Sequence, residues 1–156
     1  MTEANNIQKK QSFIFWIAYK YIKLIRVLEK FLTPILMIVI RLLIARIFFY
    51  SGLTKISSWS STIFLFKYEY KVPAIPPEIA ALIATGAELT CPILLVIGLA
   101  TRIATLPLLA MVIVIQLTYD NISDHYYWMT LLFVLFLHGP GSLSLDCIIK
   151  RKLARG

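Results

Sequence analysis

The chain has 156 residues, 59% of them hydrophobic and 15% charged, with a mean hydropathy of +0.78, which leaves too few polar residues to cover a soluble domain. The formal net charge is +8, but the lysines and arginines collect at the two ends of the chain, as suits an anionic membrane surface rather than nucleic acid. At roughly 20 apolar residues per transmembrane helix the length holds about four spans and no separate catalytic domain.

The expected fold is all-α: an integral membrane four-helix bundle with an N-terminal amphipathic interfacial helix. Residues 1–33 form a cytoplasmic tail and that helix, 34–149 the four spans, and 150–156 a basic cytoplasmic tail. The N-terminal apolar stretch FIFWIAY is too brief for a signal peptide and runs into Lys20, Lys23 and Arg26 without a cleavage site. In residues 12–32 the cations Lys20, Lys23, Arg26 and Lys30 occupy one wedge of a helix, with Phe13, Trp16, Ile17, Ile22, Leu24, Ile25 and Leu28 around the rest. That pattern lies along anionic lipid; as a fifth span it would put four cations into hydrocarbon.

Pro34 is expected to open the first span, which ends near Lys55. SSWSSTIFLFKYEYKVPAIPP is too punctuated to cross and reads as a loop with a short helix or half-buried turn. The second span runs from about Glu78 to Leu99, and the third from about Arg102 to Tyr119. After the polar YDNISDHY the fourth begins near Tyr126. Lys9, Lys10, Lys20, Lys23, Arg26, Lys30, Arg102, Lys150, Arg151, Lys152 and Arg155 then share one side. Lys55, Lys67 and Lys71 lie opposite, offset by Glu69, Glu78, Asp120 and Asp124. This bias puts both termini in the cytoplasm.

Four ionisable residues, Arg41, Arg46, Glu88 and His138, fall inside apolar spans, where each needs a partner or a purpose. Depth counted along the helices brings Arg41 and Glu88 close enough to pair, with His138 nearby on the cytoplasmic side. Such a pair either fixes helix register or lines a pocket. Arg46 points about 140° from Arg41, towards a different neighbour, and is either a second partner for Glu88 or a guest of a water-filled cavity. Pro92, four residues after Glu88, frees a carbonyl beside it, as packing kinks also do. HGPG arrives only about 20 Å after Tyr126, so the break falls inside the cytoplasmic leaflet and SLSLDCII completes the crossing. His125 is too far from His138 for a bis-histidine haem. Cys91 and Cys147 make no C-x-x-C, so neither a disulfide nor a metal site is expected. No nucleophile and base pair, haem-attachment motif or nucleotide loop is present.

Three stretches, RLLIARIFFYSGLTK, AELTCPILLVIGLATR and HGPGSLSLD, resemble the DoxX-like small membrane proteins over most of residues 35–147. The resemblance implicates Arg41, Ser51, Gly52, Lys55, Glu88, Gly98, Arg102, His138, Gly139, Pro140, Gly141, Leu143, Ser144 and Asp146. Ala45, Arg46 and Cys91-Pro92 depart from the usual pattern, as does the long arm before Pro34. The resemblance implies a four-helix protein of the bacterial inner membrane, associated with redox assemblies. The function expected is a membrane subunit or anchor of a redox complex with a quinone-sized pocket, more a non-catalytic subunit than an enzyme alone. A small-solute or proton-coupled carrier titrating Glu88, or a pure scaffold, stands as the alternative. Expected partners are the lipid bilayer and redox proteins, not nucleic acid.

Overall fold

A computed structural model describes residues 2–72, 75–118 and 123–154, with side chains from residue 15 onward except at 123. The side chains of Lys9, Lys10 and Phe13, residues 119–122 of the polar loop with Asp120, and Arg155 therefore lie outside the described residues. The regular structure of the described residues is helical, with no strand: α1 (Thr2–Ser57), α2 (Trp59–Leu65), a turn of π-helix (Phe66–Tyr70), α3 (Pro77–Ile97), α4 (Thr101–Thr118), α5 (Ser123–His138) and α6 (Leu145–Leu153).

Among the described residues three helical segments are long and apolar enough to cross a membrane: Phe15–Ser57, Pro77–Ile97 and Thr101–Thr118. The expected fourth span is α5, which has 16 residues, about 24 Å at 1.5 Å per residue, and falls short of a core about 30 Å thick. The expected start at Pro34 is corrected: Pro34 lies inside α1. Proline removes one helical hydrogen bond without forcing an end, and a long apolar helix has no better alternative for its other backbone groups.

The chain divides into two compact units, up to Leu36 and from Met37. In the first, every described side chain from Phe15 is exposed except Ile25 and Pro34, which are half-buried. The Lys20 ammonium lies 3.9 Å from the Trp16 ring centroid, one helical turn away, a cation–π contact that anchors one lysine of the wedge.

In the second unit, burial follows the helical period. Met37, Ile40, Arg41, Ile44, Ala45, Phe48 and Gly52 are buried on α1, and Ala81, Ala84, Thr85, Glu88, Cys91, Pro92 and Leu95 on α3. Thr101, Ala104, Thr105, Leu108 and Val112 form the same stripe on α4, and α5 adds Leu132 and Leu135 to the shared core. The opposite faces expose Leu82, Ile83, Ile103 and Phe133, as lipid-facing surfaces do. Small residues at the crossings bring the backbones together: a methyl added at Gly52 would lie 3.1 Å from the Glu88 Cβ.

Each element ends for a local reason. Pro77 occupies the first turn of α3, where its missing N–H costs nothing. Gly98, at φ 68°, stops α3 in a Schellman turn: Leu99 N–H donates to the Leu94 carbonyl at 3.0 Å and Gly98 N–H to Leu95 at 3.2 Å. The short helix α2 packs back because the Thr62 hydroxyl donates to the Lys55 carbonyl at 3.1 Å. The following turn closes with Lys71 N–H on the Phe66 carbonyl, leaving the expected half-buried turn with Phe66 inside. Helix α5 stops at His138, where Gly139 (φ 75°) and Gly141 (φ 84°) take left-handed conformations.

Candidate functional site

The polar residues of the second unit gather in two clusters at different levels. Glu88 is 1% exposed, and its Oε1 accepts from the Lys55 ammonium at 2.8 Å and from the Ser51 hydroxyl at 3.0 Å. Lys55 also donates to Ser51 Oγ at 2.9 Å, one turn away on α1, so three residues close a triangle around one carboxylate oxygen. Glu88 Oε2 is buried without a hydrogen-bond partner among the described residues.

Lys55 has a second neighbour. Lys55 also lines an apolar cavity of about 210 Å³ walled by Phe66, Tyr70, Ala80, Ala84 and Ala87 on one side and Pro107, Ala110, Met111 and Val114 of α4 on the other. The Tyr70 phenol, held above its usual pKa by burial and then by the charges of Glu69 and Glu88, stays protonated well past neutral pH.

Arg41 belongs to the other cluster. It is 3% exposed, and its Nη2 donates to the Leu143 carbonyl at 2.9 Å, while its Nη1 packs on Gly98, where any Cβ would collide with it. Asp146 completes this latch: its N–H donates to the Gly98 carbonyl at 3.0 Å. Its Oδ1 and Oδ2 accept from Ala100 N–H at 2.8 Å and Thr101 N–H at 3.2 Å. The carboxylate thereby caps α4 and holds Ala100 at φ 47°, a conformation a residue with a Cβ rarely adopts. Ser144 caps α6, accepting from Cys147 N–H at 3.2 Å. Arg102 Nη2 donates to the Leu137 carbonyl at 3.0 Å. Residues 139–146 thus run across the end formed by the α3–α4 turn, and the expectation that SLSLDCII continues the crossing is corrected.

The expected Arg41 to Glu88 pair does not form; the carboxylate takes Lys55 and Ser51 instead. Glu88 sits at the level of Gly52, and Arg41 at that of Gly98. Eleven residues from 41 to 52, or ten from 88 to 98, put about 15 Å along the axis between the two groups. Depth counted from Pro34 fails because the latched end is level with Arg41, not with the proline. His138 is exposed at the rim of the latched end and does not approach Glu88. Arg46 is exposed on the other side of α1, 6.0 Å from the Tyr50 ring centroid, beside Pro92 and Ile93. Sequence reasoning placed Lys55 among the charges outside the membrane. The signal it missed is the i, i+4 spacing of Ser51 and Lys55 on the face that carries Arg41.

Removing the cap should be felt at once. Asp146→Ala is expected to cost about 1–2 kcal/mol, the value of a lost helix N-cap, and Asp146→Asn less, since one oxygen still accepts. Unfolding of the detergent-solubilised protein measures both.

An apolar helical chain with charges paired in its interior is a small integral membrane protein. Residues 36–121, more than half of the chain, match the DoxX family, and the chain belongs to that family. It is similar to an uncharacterised protein of Haemophilus influenzae, with 31% identity over 129 residues, 74% of this chain and 83% of the relative. It is also similar to the inner membrane protein YphA of Escherichia coli, with 29% identity over 132 residues, 72% of this chain and 89% of the relative. No solved structure matches.

Proposed function

We propose that this chain is a bacterial inner-membrane subunit or anchor of a redox complex, and that its apolar cavity takes the ring of a lipid-soluble quinone. The observation that supports this most is that Lys55 is at once the partner of Glu88 and part of the cavity wall. A cavity of about 210 Å³ lies below the roughly 300–1,000 Å³ of sites that enclose a whole drug-sized ligand. It suits a ring whose tail stays in the lipid. The residues present fit such a group: apolar walls for the ring, and the Lys55 ammonium as a donor for a carbonyl oxygen. A bound quinone would supply two-electron, two-proton chemistry. The chain's own part is to orient the ring, exclude water, and hold Lys55 in place through Glu88 and Ser51.

The test is quinone carried through gentle extraction, together with the melting-temperature shift on adding a quinone. Wild-type protein is expected to retain quinone and to be stabilised by it. Ala84→Leu, which fills the cavity and leaves both residues of the ion pair in the chain, is expected to lose both. No retention and no shift in wild type would reject the reading. Glu88 Oε2, buried without a partner, favours the second reading, a proton-coupled carrier. In proteoliposomes that reading predicts proton uptake that Glu88→Gln abolishes in protein that is still folded. A pure scaffold would show neither behaviour.

The arrangement proposed in the membrane has four crossings, with α5 as the fourth, both termini cytoplasmic, the cations of residues 12–32 bound to anionic lipid and 150–156 as a basic cytoplasmic tail. The lysine and arginine bias supports it. Reporter fusions after residue 156 and within residues 119–124 should report opposite sides; the same side at both would reject four crossings.

A further inference from the structure

The latched end carries a feature that neither the Lys55 and Glu88 cluster nor the apolar cavity uses. Between the start of α4, the glycine–proline turn and α6 lies an open pocket of about 530 Å³, lined by Arg102, His138, Gly141, Ser142, Asp146 and Lys150 among others. We propose that this pocket binds a phosphate-bearing anion at the membrane surface, with Arg102 and Lys150 as its principal contacts and His138 at its rim.

Charge is the first ground. Arg102 and Lys150 bring two cations, and the one carboxylate in the lining, Asp146, has both oxygens turned to the amides of Ala100 and Thr101. Neither cation has a carboxylate partner among the described residues. Arg102 spends one N–H on the Leu137 carbonyl, which fixes the guanidinium plane and leaves its remaining donors for a tetrahedral anion.

Shape is the second. Gly139 has no side chain to hold the guanidinium off: a Cβ there would stand 3.3 Å from Arg102 Nε. The left-handed turns at Gly139 and Gly141 keep that wall of the pocket low, so a headgroup-sized anion can reach Arg102. This gives HGPG a role besides ending a helix.

Depth is the third. Helix α6 exposes Leu145, Ile148, Ile149 and Leu153 alongside Lys150, Arg151 and Lys152. This amphipathic surface belongs at the boundary of headgroups and acyl chains, where anionic phosphates are concentrated. The phosphate can come from a lipid headgroup or from a soluble phosphate compound, and the experiment separates them.

The full chain in mild detergent is titrated with phosphatidylglycerol and with phosphatidylcholine and read by native mass spectrometry. In parallel, its melting temperature is followed with inorganic phosphate. Wild-type protein is expected to prefer phosphatidylglycerol by at least about tenfold, since each cation near the surface contributes about fivefold. Lys150→Gln should lose about fivefold of that preference, and Arg102→Gln with Lys150→Gln nearly all of it. Arg46→Gln, on another face, should keep it. Stabilisation by inorganic phosphate in wild type, lost in the double variant, would support the same site with a soluble ligand as its source. Among the described residues the Lys150 side chain makes no hydrogen bond, and its carbonyl, which accepts from Ala154 N–H, is untouched by the substitution, so the variant tests the pocket without unfolding it. If Lys150→Gln and the double variant keep the wild-type preference, or wild type responds to neither probe, the proposal is overturned.

Discussion

Glu88→Leu is expected to destabilise the protein by about 3–5 kcal/mol, the cost of stranding a buried charge when its counterion is removed. The stranded group is the Lys55 ammonium, whose side chain is 12% exposed and whose other side-chain partner among the described residues is the Ser51 hydroxyl. Lys55→Leu should cost a similar amount, because the carboxylate then keeps a single hydrogen bond from Ser51. The double variant should lose less than the sum, with a coupling of about 0.5–3 kcal/mol, since residues in one network do not act independently. A second cycle sets the control. Arg41→Leu and Glu88→Leu should add to within about 0.5 kcal/mol, because groups more than about 10 Å apart without shared partners are independent. Thermal unfolding in detergent measures both cycles. Strict additivity between Lys55 and Glu88, or strong coupling between Arg41 and Glu88, would contradict the partnership seen here.

Gly98→Ala should be as damaging. At φ 68° a side chain costs about 1–2 kcal/mol from the left-handed backbone alone, and overpacking adds about 1–3 kcal/mol. The new methyl would collide with Arg41 Nη1 and lie 2.6 Å from the Ser144 Cβ and 3.2 Å from its Cα. Arg41 can swing its guanidinium, but only by giving up the Leu143 carbonyl, and the Ser144 backbone cannot retreat without pulling Asp146 off the start of α4. The latch should therefore open as a unit, visible as faster hydrogen exchange at Ala100 and Thr101 in the variant. Gly86→Ala provides the internal contrast. A Cβ there meets nothing within 4 Å, and the substitution within a helix should stabilise by up to about 1 kcal/mol. If Gly98→Ala is no worse than Gly86→Ala, the close approach at Gly98 does not hold the latch.

Hydrophobic period and composition were enough to locate α3, α4 and α5 to within a few residues, because a long apolar stretch has no other way to satisfy its backbone in lipid; the separate helix α6 was not foreseen. The stop at His138 was legible for the same kind of reason, since two glycines and a proline cannot prolong a helix. So was the face of α1 that carries Arg41, Gly52 and Lys55, which follows from 3.6 residues per turn alone. Pairing was not legible. Which residue of α1 stands opposite Glu88 depends on how far one helix slides along its neighbour, and no periodicity within either helix records that offset. Small residues decide it: Gly52 admits Glu88 and Gly98 admits Arg41. Once those two approaches are set, Lys55 reaches the carboxylate and Arg41 is left to the Leu143 carbonyl. The use of Asp146 as the cap of a helix 45 residues earlier in the chain is likewise a decision of the tertiary structure. A carboxylate near three basic residues reads from sequence as a surface charge, and only the return of residues 139–146 beneath the α3–α4 turn brings it to the amides that need it.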